Sequence, residues 1–428
     1  MNDNNYKDSN ILFVGKIPSN WIVRSMRSLF TFGRGRVISN EEIADNKGEY
    51  PVYSSQTKND GILGYIDTYD FSGEYVTWTT DGANAGTVFY REGKFNCTNV
   101  CGTIQPKKEG IVYLKLLPYY LNFATKEYVR YDINPKLMNN VMGDIPICFP
   151  ESLKLQKQMV NYLDKQTAKI DATIAKNEEL LQLLEEKRVA LINQVVTKGL
   201  NPNVPMKDSG VEWIGEIPEH WGVEKIKNLS QVKPSNVDKK TKDNEPPVLL
   251  CNYTDVYNNE FITMDLDFMK ATATYDQIKK LSLNVGDIII TKDSESADDI
   301  AVPAIVTEKL ENVVCGYHLA VIRPNEEKIY PKFLFRSFES DKINKQFEHG
   351  ANGVTRFGLG TYPINNAYVC QPPLSEQKEI ANYLDNENSK IYKATNKIMV
   401  HTDLLEEYKT SLIHNVVTGK IDVREEMV

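Results

Sequence analysis

The side chains that could ligate a metal or carry nucleophilic catalysis are few and scattered. There are five histidines, His220, His318, His349, His401 and His414, and six cysteines. Of the cysteines only Cys97 and Cys101 are close, and no second pair supplies zinc-finger spacing, so neither a structural zinc nor a disulfide framework is expected. Gly15-Lys16, Gly93-Lys94 and Gly419-Lys420 lack the upstream glycine and the following Ser or Thr of a phosphate-cradling loop. Gly33-Arg34-Gly35 and Gly358-Leu359-Gly360 lack the third glycine of a dinucleotide loop. Asn134-Pro135-Lys136 and Asn201-Pro202-Asn203 do not form the Asn-Pro-Pro-aromatic box of amino-methyltransferases. There is no GxSxG elbow and no HExxH pair. With no nucleophile, base and orienter in one constellation, catalysis is not expected.

A different chemistry is better represented. Polar, amide-rich and aromatic turns carry Gln56, Lys58 and Asn59, then Thr79, Thr80 and Asn84. Further along come Lys292 and Ser294, Tyr317 and His318, and Thr355 and Arg356. Amides, Arg and Lys can pair with base edges, and Ser and Thr with phosphates, so these are candidate contacts to double-stranded DNA. Solvated turns have the same composition, and residue type alone does not separate the two readings.

The segments around these turns are written twice. Residues 7–30 align with 207–230 at 9 identities in 24, keeping Lys-Asp-Ser, Gly, Ile-Pro and Trp. Residues 155–171 align with 376–392 at 8 in 17, and 183–197 with 404–418 at 9 in 15. Tyr113, Lys115 and Leu117 are echoed by Tyr330, Lys332 and Leu334. Between these anchors lie two dissimilar inserts, roughly 31–150 and 231–370, whose strand and turn patterns, each followed by a helix near 112–129 or 331–347, read as α+β. Matched frames around unlike inserts suggest a shared mechanical task with two different recognition tasks. A duplication with inserts that merely drifted is the plainer alternative.

The later repeats are long helices. Residues 155–197 contain no Gly or Pro, and apolar residues recur every seven: Leu163, Ile170, Leu184 and Leu191, with Asn177 the one polar member. The second copy is unbroken at Leu384, Ile391, Ile398, Leu405 and Leu412. Such a seam buries itself against a helix of the same period, and the best partner for each copy is the other. Gly199 and Gly419 mark the expected stops. At ~1.5 Å per residue each helix is about 60–65 Å long, and internal two-fold symmetry would make the pair antiparallel.

Bulk properties exclude little else. The chain has 428 residues, 41% hydrophobic and 25% charged, with mean hydropathy −0.41. It lacks an apolar run long enough for a membrane helix and a secretory-signal pattern, so a cytoplasmic protein without membrane contact is expected. The net charge of −8 is uneven: residues 1–150 balance at 16 against 16, while 206–370 carry 19 basic and 25 acidic side chains. DNA binding needs a local basic face, not a basic total.

The central stretch VTKGLNPNVPMKDSGVEWIGEIPEHW (196–221), the paired QKxxxNYLD motifs at 156–164 and 377–385, and VVTGKIDVRE (416–425) together resemble the specificity subunits of type I restriction-modification systems. The resemblance covers essentially the whole chain. It implies two globular α+β target-recognition domains, each reading half of a split, asymmetric DNA site. Two long helices forming an antiparallel intramolecular coiled coil would separate them, with a pseudo-two-fold internal repeat. The implied domain map is 1–150, first recognition domain; 151–199, first spacer helix; 200–370, second recognition domain; 371–428, second spacer helix and tail. The implied partners are double-stranded DNA, two methyltransferase subunits and restriction/translocase subunits. S-adenosylmethionine, ATP and Mg²⁺ would belong to those partners and none to this chain. A coiled-coil adaptor binding two different proteins, or an enzyme with an unfamiliar site, would be the rival readings.

Overall fold

The two frames fold alike, residue for residue. In the computed structural model, which describes residues 5–131 and 134–424, Tyr6–Asp8 pairs antiparallel with Lys16–Pro18, and Met206–Asp208 pairs with Glu216–Pro218 in the same register. The repeated Lys-Asp-Ser builds the turn. Asp8 and Asp208 accept from the backbone N–H groups of Asn10 and Gly210 at 2.8 and 2.9 Å, and Ser9 and Ser209 accept from those of Ile11 and Val211 at 3.1 Å. Short side chains that bond the backbone two residues on are what such turns select.

The chain divides into two compact units, residues 1–177 with 400–428, and residues 178–399. In the first unit, Trp21–Ser25 pairs antiparallel with Pro146–Pro150, so the first insert leaves and returns on one ribbon. Its sheet has six strands in the order Phe30–Arg34, Cys101–Pro106, Phe71–Thr79, Val88–Cys97, Lys47–Tyr53 and Ile62–Ile66. All neighbours are antiparallel except Lys47–Tyr53 beside Val88–Cys97. Trp78 is fully buried at the centre, its indole N–H bonded to the Leu137 carbonyl at 2.9 Å. The helix expected near 112–129 is shorter, Leu117–Ala124, with 3-10 turns at Leu114–Leu116 and Thr125–Glu127.

Parts of two long helices complete this unit. The first runs Leu153–Lys198 and the second Leu374–Val417; residues 153–177 and 400–417 belong here. They lie antiparallel: Lys409 reaches Asp171 at 2.5 Å, and Asn177 donates to Thr402 Oγ1 at 3.0 Å. Leu163, Ile170 and Leu412 share one core with Ile17 and Trp21 of the frame, and Leu405 packs on it half-buried. Gly419, at φ 73°, ends the second helix against Trp21, where a Cβ would come within 2.9 Å of the indole. Only glycine fits that turn and that approach together.

The second unit repeats the plan with a different head. Gly222–Lys225 pairs with Tyr368–Gln371, closing the insert on a ribbon. A five-stranded sheet orders Ser230–Pro234, Leu319–Pro324, Ile288–Thr291, Pro303–Val306 and Phe261–Ile262, and a three-stranded sheet orders Met269–Thr272, Pro247–Cys251 and Val313–Cys315. Ile288 and Ile290 enter one core and Ile289 the other, so the isoleucine run is buried on both faces. The strand Pro247–Cys251 stops where a capping box of Asn252 and Asp255 starts the helix Tyr253–Tyr257. The single helix expected near 331–347 is two, Pro331–Phe338 and Asp341–Gly350, because Ser340 turns extended and caps the second.

Residues 178–198 and 374–399 of the long helices belong to this unit. Ile192 and Val195 share a core with Ile380 and Leu384, while Leu184, Leu191 and Ile398 are half-buried and Ile391 is buried. Full burial of Leu163 and Leu384 is found where a globular head adds a third wall to the helix pair. Among the described residues no helix is long and apolar enough to cross a membrane.

The glutamine of each QKxxxNYLD motif fastens head to helix. Gln377 is fully buried; its Oε1 accepts from the Tyr330 N–H at 2.7 Å and its Nε2 donates to the Pro372 carbonyl at 2.8 Å. Gln156 repeats this with Tyr113 at 2.6 Å and Pro150 at 2.8 Å. One buried amide therefore ties the start of a helical segment of the head, at Tyr113 or Tyr330, to the residues that lead into the long helix in both copies.

Candidate nucleic-acid interface

In the first head the candidate turn is rigidly supported. Lys58–Gly61 forms a 3-10 turn in which Asn59 and Asp60 are left-handed, at φ 50° and 53°. Arg91, 3% exposed, holds it from below, pairing with Asp60 Oδ2 at 2.6 Å and donating to the Asp60 carbonyl at 2.8 Å. Its guanidinium lies 3.6 Å from the Tyr53 ring centroid and 4.4 Å from that of Phe89. Asn84 donates to the Ser55 carbonyl at 3.0 Å, and the half-buried Gln56 donates to the Ile62 carbonyl. These two amides are therefore spent on shaping the loop, while Lys58 and Asn59 are exposed at its tip. Thr79 and Thr80 are buried: Thr79 ends a core strand, Thr80 follows it, and Thr80 Oγ1 donates to Asp81 at 2.7 Å. Neither offers a surface.

In the second head, residues far apart in sequence converge. Asp293–Ser294 pairs with Phe357–Leu359, which pairs in turn with Ala351–Asn352. Thr355 and Arg356 stand exposed on the connecting loop, beside Val354, which is 92% exposed. Gly353, at φ 155°, allows the tight turn, since a Cβ there would meet the Arg356 carbonyl at 2.0 Å. The Lys292 N–H bonds the His318 carbonyl at 2.8 Å, and the Lys292 ammonium lies 5.7 Å from the Tyr317 ring centroid. His318 sits at φ 74°, uncommon for a residue with a side chain, and its Nδ1 lies 2.5 Å from Asp293 Oδ2. Ser294 is buried, its Oγ 3.4 Å from Asp299, and so acts within the head. The exposed set is thus Tyr317, Thr355 and Arg356, with Lys292 and His318 half-exposed behind them.

Two groups escaped the sequence reading. Tyr253 and Tyr257 stack at 5.5 Å, and Tyr257 donates to Asp299 at 2.9 Å. In the first head, Lys94 lies 4.4 Å from the Tyr69 ring and 5.6 Å from that of Tyr50. Spacing of i, i+4 is the one local sign of the first pair, and it identifies a pair only once Tyr253–Tyr257 is known to be helical. Among the described residues no group of three or more His, Cys, Asp or Glu could hold a metal ion.

The sequence pattern described as "Type I restriction modification DNA specificity domain" matches residues 18–182 and 218–398. The N-terminus of a putative type I specificity subunit from Mycoplasma pneumoniae is 49% identical over 132 residues, covering 31% of this chain and 70% of that relative. The specificity subunit of the type I restriction enzyme MpnII, from the same organism, is 44% identical over 131 residues, covering 30% of this chain and 39% of the relative. Two other Mycoplasma relatives are matched over 45% and 35% of their length. A solved structure described under complex assembly and conformational transition of the type I R-M system is similar with a TM-score of 0.71. It is 12% identical and covers 95% of this chain and 99% of that one. The HsdS subunit of Thermoanaerobacter tengcongensis, also 12% identical, covers 95% and 98% with a TM-score of 0.53. At that identity the two structures show a shared fold.

The chain belongs to the type I restriction-modification DNA specificity family, matched separately in each half.

Proposed function

We propose that each head reads one half of a bipartite, asymmetric site in double-stranded DNA, and that the chain itself is non-catalytic. The carrying observation is that the two copies share their fastening while their heads differ in sheet order and strand number. A device that must present two unlike readers in a fixed relation needs this combination. Lys58 and Asn59 would contact DNA from the first head, and Arg356, Thr355, Tyr317 and Lys292 from the second.

The long helices would set the distance between half-sites and dock two methyltransferase subunits, with restriction/translocase subunits joining the assembly. S-adenosylmethionine, ATP and Mg²⁺ would be bound by those partners, and the assembly would work in the cytoplasm. The exposed apolar residues on the helices, Leu180, Leu183, Met399, Val400 and Leu404, favour a protein partner there.

Exchange of residues 31–150 for the equivalent insert of another such protein tests the reading. Methylation mapping of host DNA should show one half-site changed and the other kept. A change in both halves, or in neither, would show that the heads do not read independently.

A further inference from the structure

In the second unit a buried amide is left unsatisfied. Asn388 is 8% exposed, and among the described residues neither its Oδ1 nor its Nδ2 has a hydrogen-bond partner. It lines a cavity of about 440 Å³ formed by the two long helices and the base of the second head. A buried carboxamide without partners costs stability, so such a group is retained against a stability penalty. The frame does not require it. Thr167, the corresponding residue of the first copy, is buried to the same 8% and is satisfied, its Oγ1 donating to the Leu163 carbonyl at 2.8 Å.

The charges around the cavity limit what can enter. Its walls carry Glu185, Glu260 and Glu339 against one cation, Arg188. Arg188 is already engaged, 3.1 Å from Glu185 and 2.8 Å from Glu339. Arg336, next to the cavity, lies 2.6 Å from Glu260 and 2.7 Å from Glu339. Glu260 is held above the usual carboxylate range by burial, against the pull of Arg336. Among the described lining residues no cation is left over for a phosphate, whereas carboxylate is in excess. Val302, Phe338 and Ile391 supply an apolar wall.

The fitting occupant presents a donor and an acceptor side by side to the Asn388 amide and places a positive charge near Glu260. A polypeptide backbone offers the first, and a Lys or Arg side chain the second. We propose that this cavity binds a peptide segment of a partner protein, pairing Asn388 with a backbone amide and the carboxylates with a basic side chain. The site is separate from the candidate DNA-reading loops, and its test does not depend on them.

The full chain is titrated with the capped peptides acetyl-Ala-Lys-Ala-amide, acetyl-Ala-norleucine-Ala-amide and acetyl-Ala-Glu-Ala-amide, with binding followed by calorimetry and by thermal melting. The lysine peptide should bind at least tenfold more tightly than the glutamate peptide and raise the melting temperature. Asn388→Thr, which installs the residue of the first copy, and Asn388→Leu should each weaken binding tenfold or more while melting, unliganded, at or above the parent. Glu260→Gln should bring the lysine and norleucine peptides to equal affinity. The proposal is overturned if lysine and glutamate peptides bind equally or not at all, or if Asn388→Thr binds like the parent. It is also overturned if both Asn388 variants melt well below the parent, since the amide would then be a structural necessity.

Discussion

Asp385 accepts from Arg336 Nη2 at 2.7 Å, at the position where Asp164 in the first copy accepts from the Tyr119 hydroxyl at 2.5 Å. The carboxylate of the repeated motif is thus kept, while its partner on the head changes from a neutral donor to a guanidinium. Burial pushes the Asp385 carboxyl upward, but bonds from Lys332 and Arg336 outweigh it and hold it below the usual range.

A carboxyl lowered by folding contributes stability that is fully present above its unfolded value, about 4, and lost as pH falls through the lower folded one. Asp385→Asn should therefore cost about 2 kcal/mol near neutral pH. The penalty should shrink on acidification below about pH 4. Urea melts of parent and variant from pH 6 to pH 2.5 would show it; parallel curves would mean that the pair does not respond to acid.

Gln377→Ala should cost about 1–3 kcal/mol, because it strands the partly buried Tyr330 N–H and the buried Pro372 carbonyl. Gln156→Ala should cost about as much. Hydrogen exchange would assign the two losses to different units, protection falling around 330–338 in one variant and 114–124 in the other.

The seam should be unequal along its length. Leu384→Ala, at a fully buried position, should cost about 2–5 kcal/mol. Ile398→Ala, half-buried, should cost under about half of that. Equal losses in chemical denaturation would place Ile398 in a core it does not reach here.

Arg356→Ala and Lys58→Ala should leave melting unchanged and weaken specific DNA binding by about 1–3 kcal/mol, each relaxing one half-site only. Thr80→Ala should do the reverse, lowering stability through a buried position without changing which bases are preferred. Binding to a duplex library, read against melting of the same samples, separates the two.

These contrasts also show what the sequence could carry. Frames, helix lengths and the seven-residue seam were legible because each is a local or periodic property, and the second helix ends two residues before Gly419, much as its pattern predicts. The candidate site was legible only as residue types. That Lys292 and the loop carrying Arg356 come together depends on pairing between Asp293–Ser294 and Phe357–Leu359, over 60 positions apart, which no local pattern encodes. Thr79 and Thr80 were misleading for a related reason. A polar stretch following strand residues is indistinguishable by composition from a turn, and only the sheet order shows it to be interior.

The division of the long helices also bears on synthesis at the ribosome. The second unit is continuous, residues 178–399, whereas the first closes over Leu412, Val416 and Val417. At about 5–20 residues per second, the first head waits roughly 10–50 s after its own last residue for the segment that completes its core. During that interval the helix face carrying Leu163 and Ile170 lacks the segment it packs with in the finished fold. A ribosome that stops short of residue 400 would release a chain with one finished reader and one unfinished one.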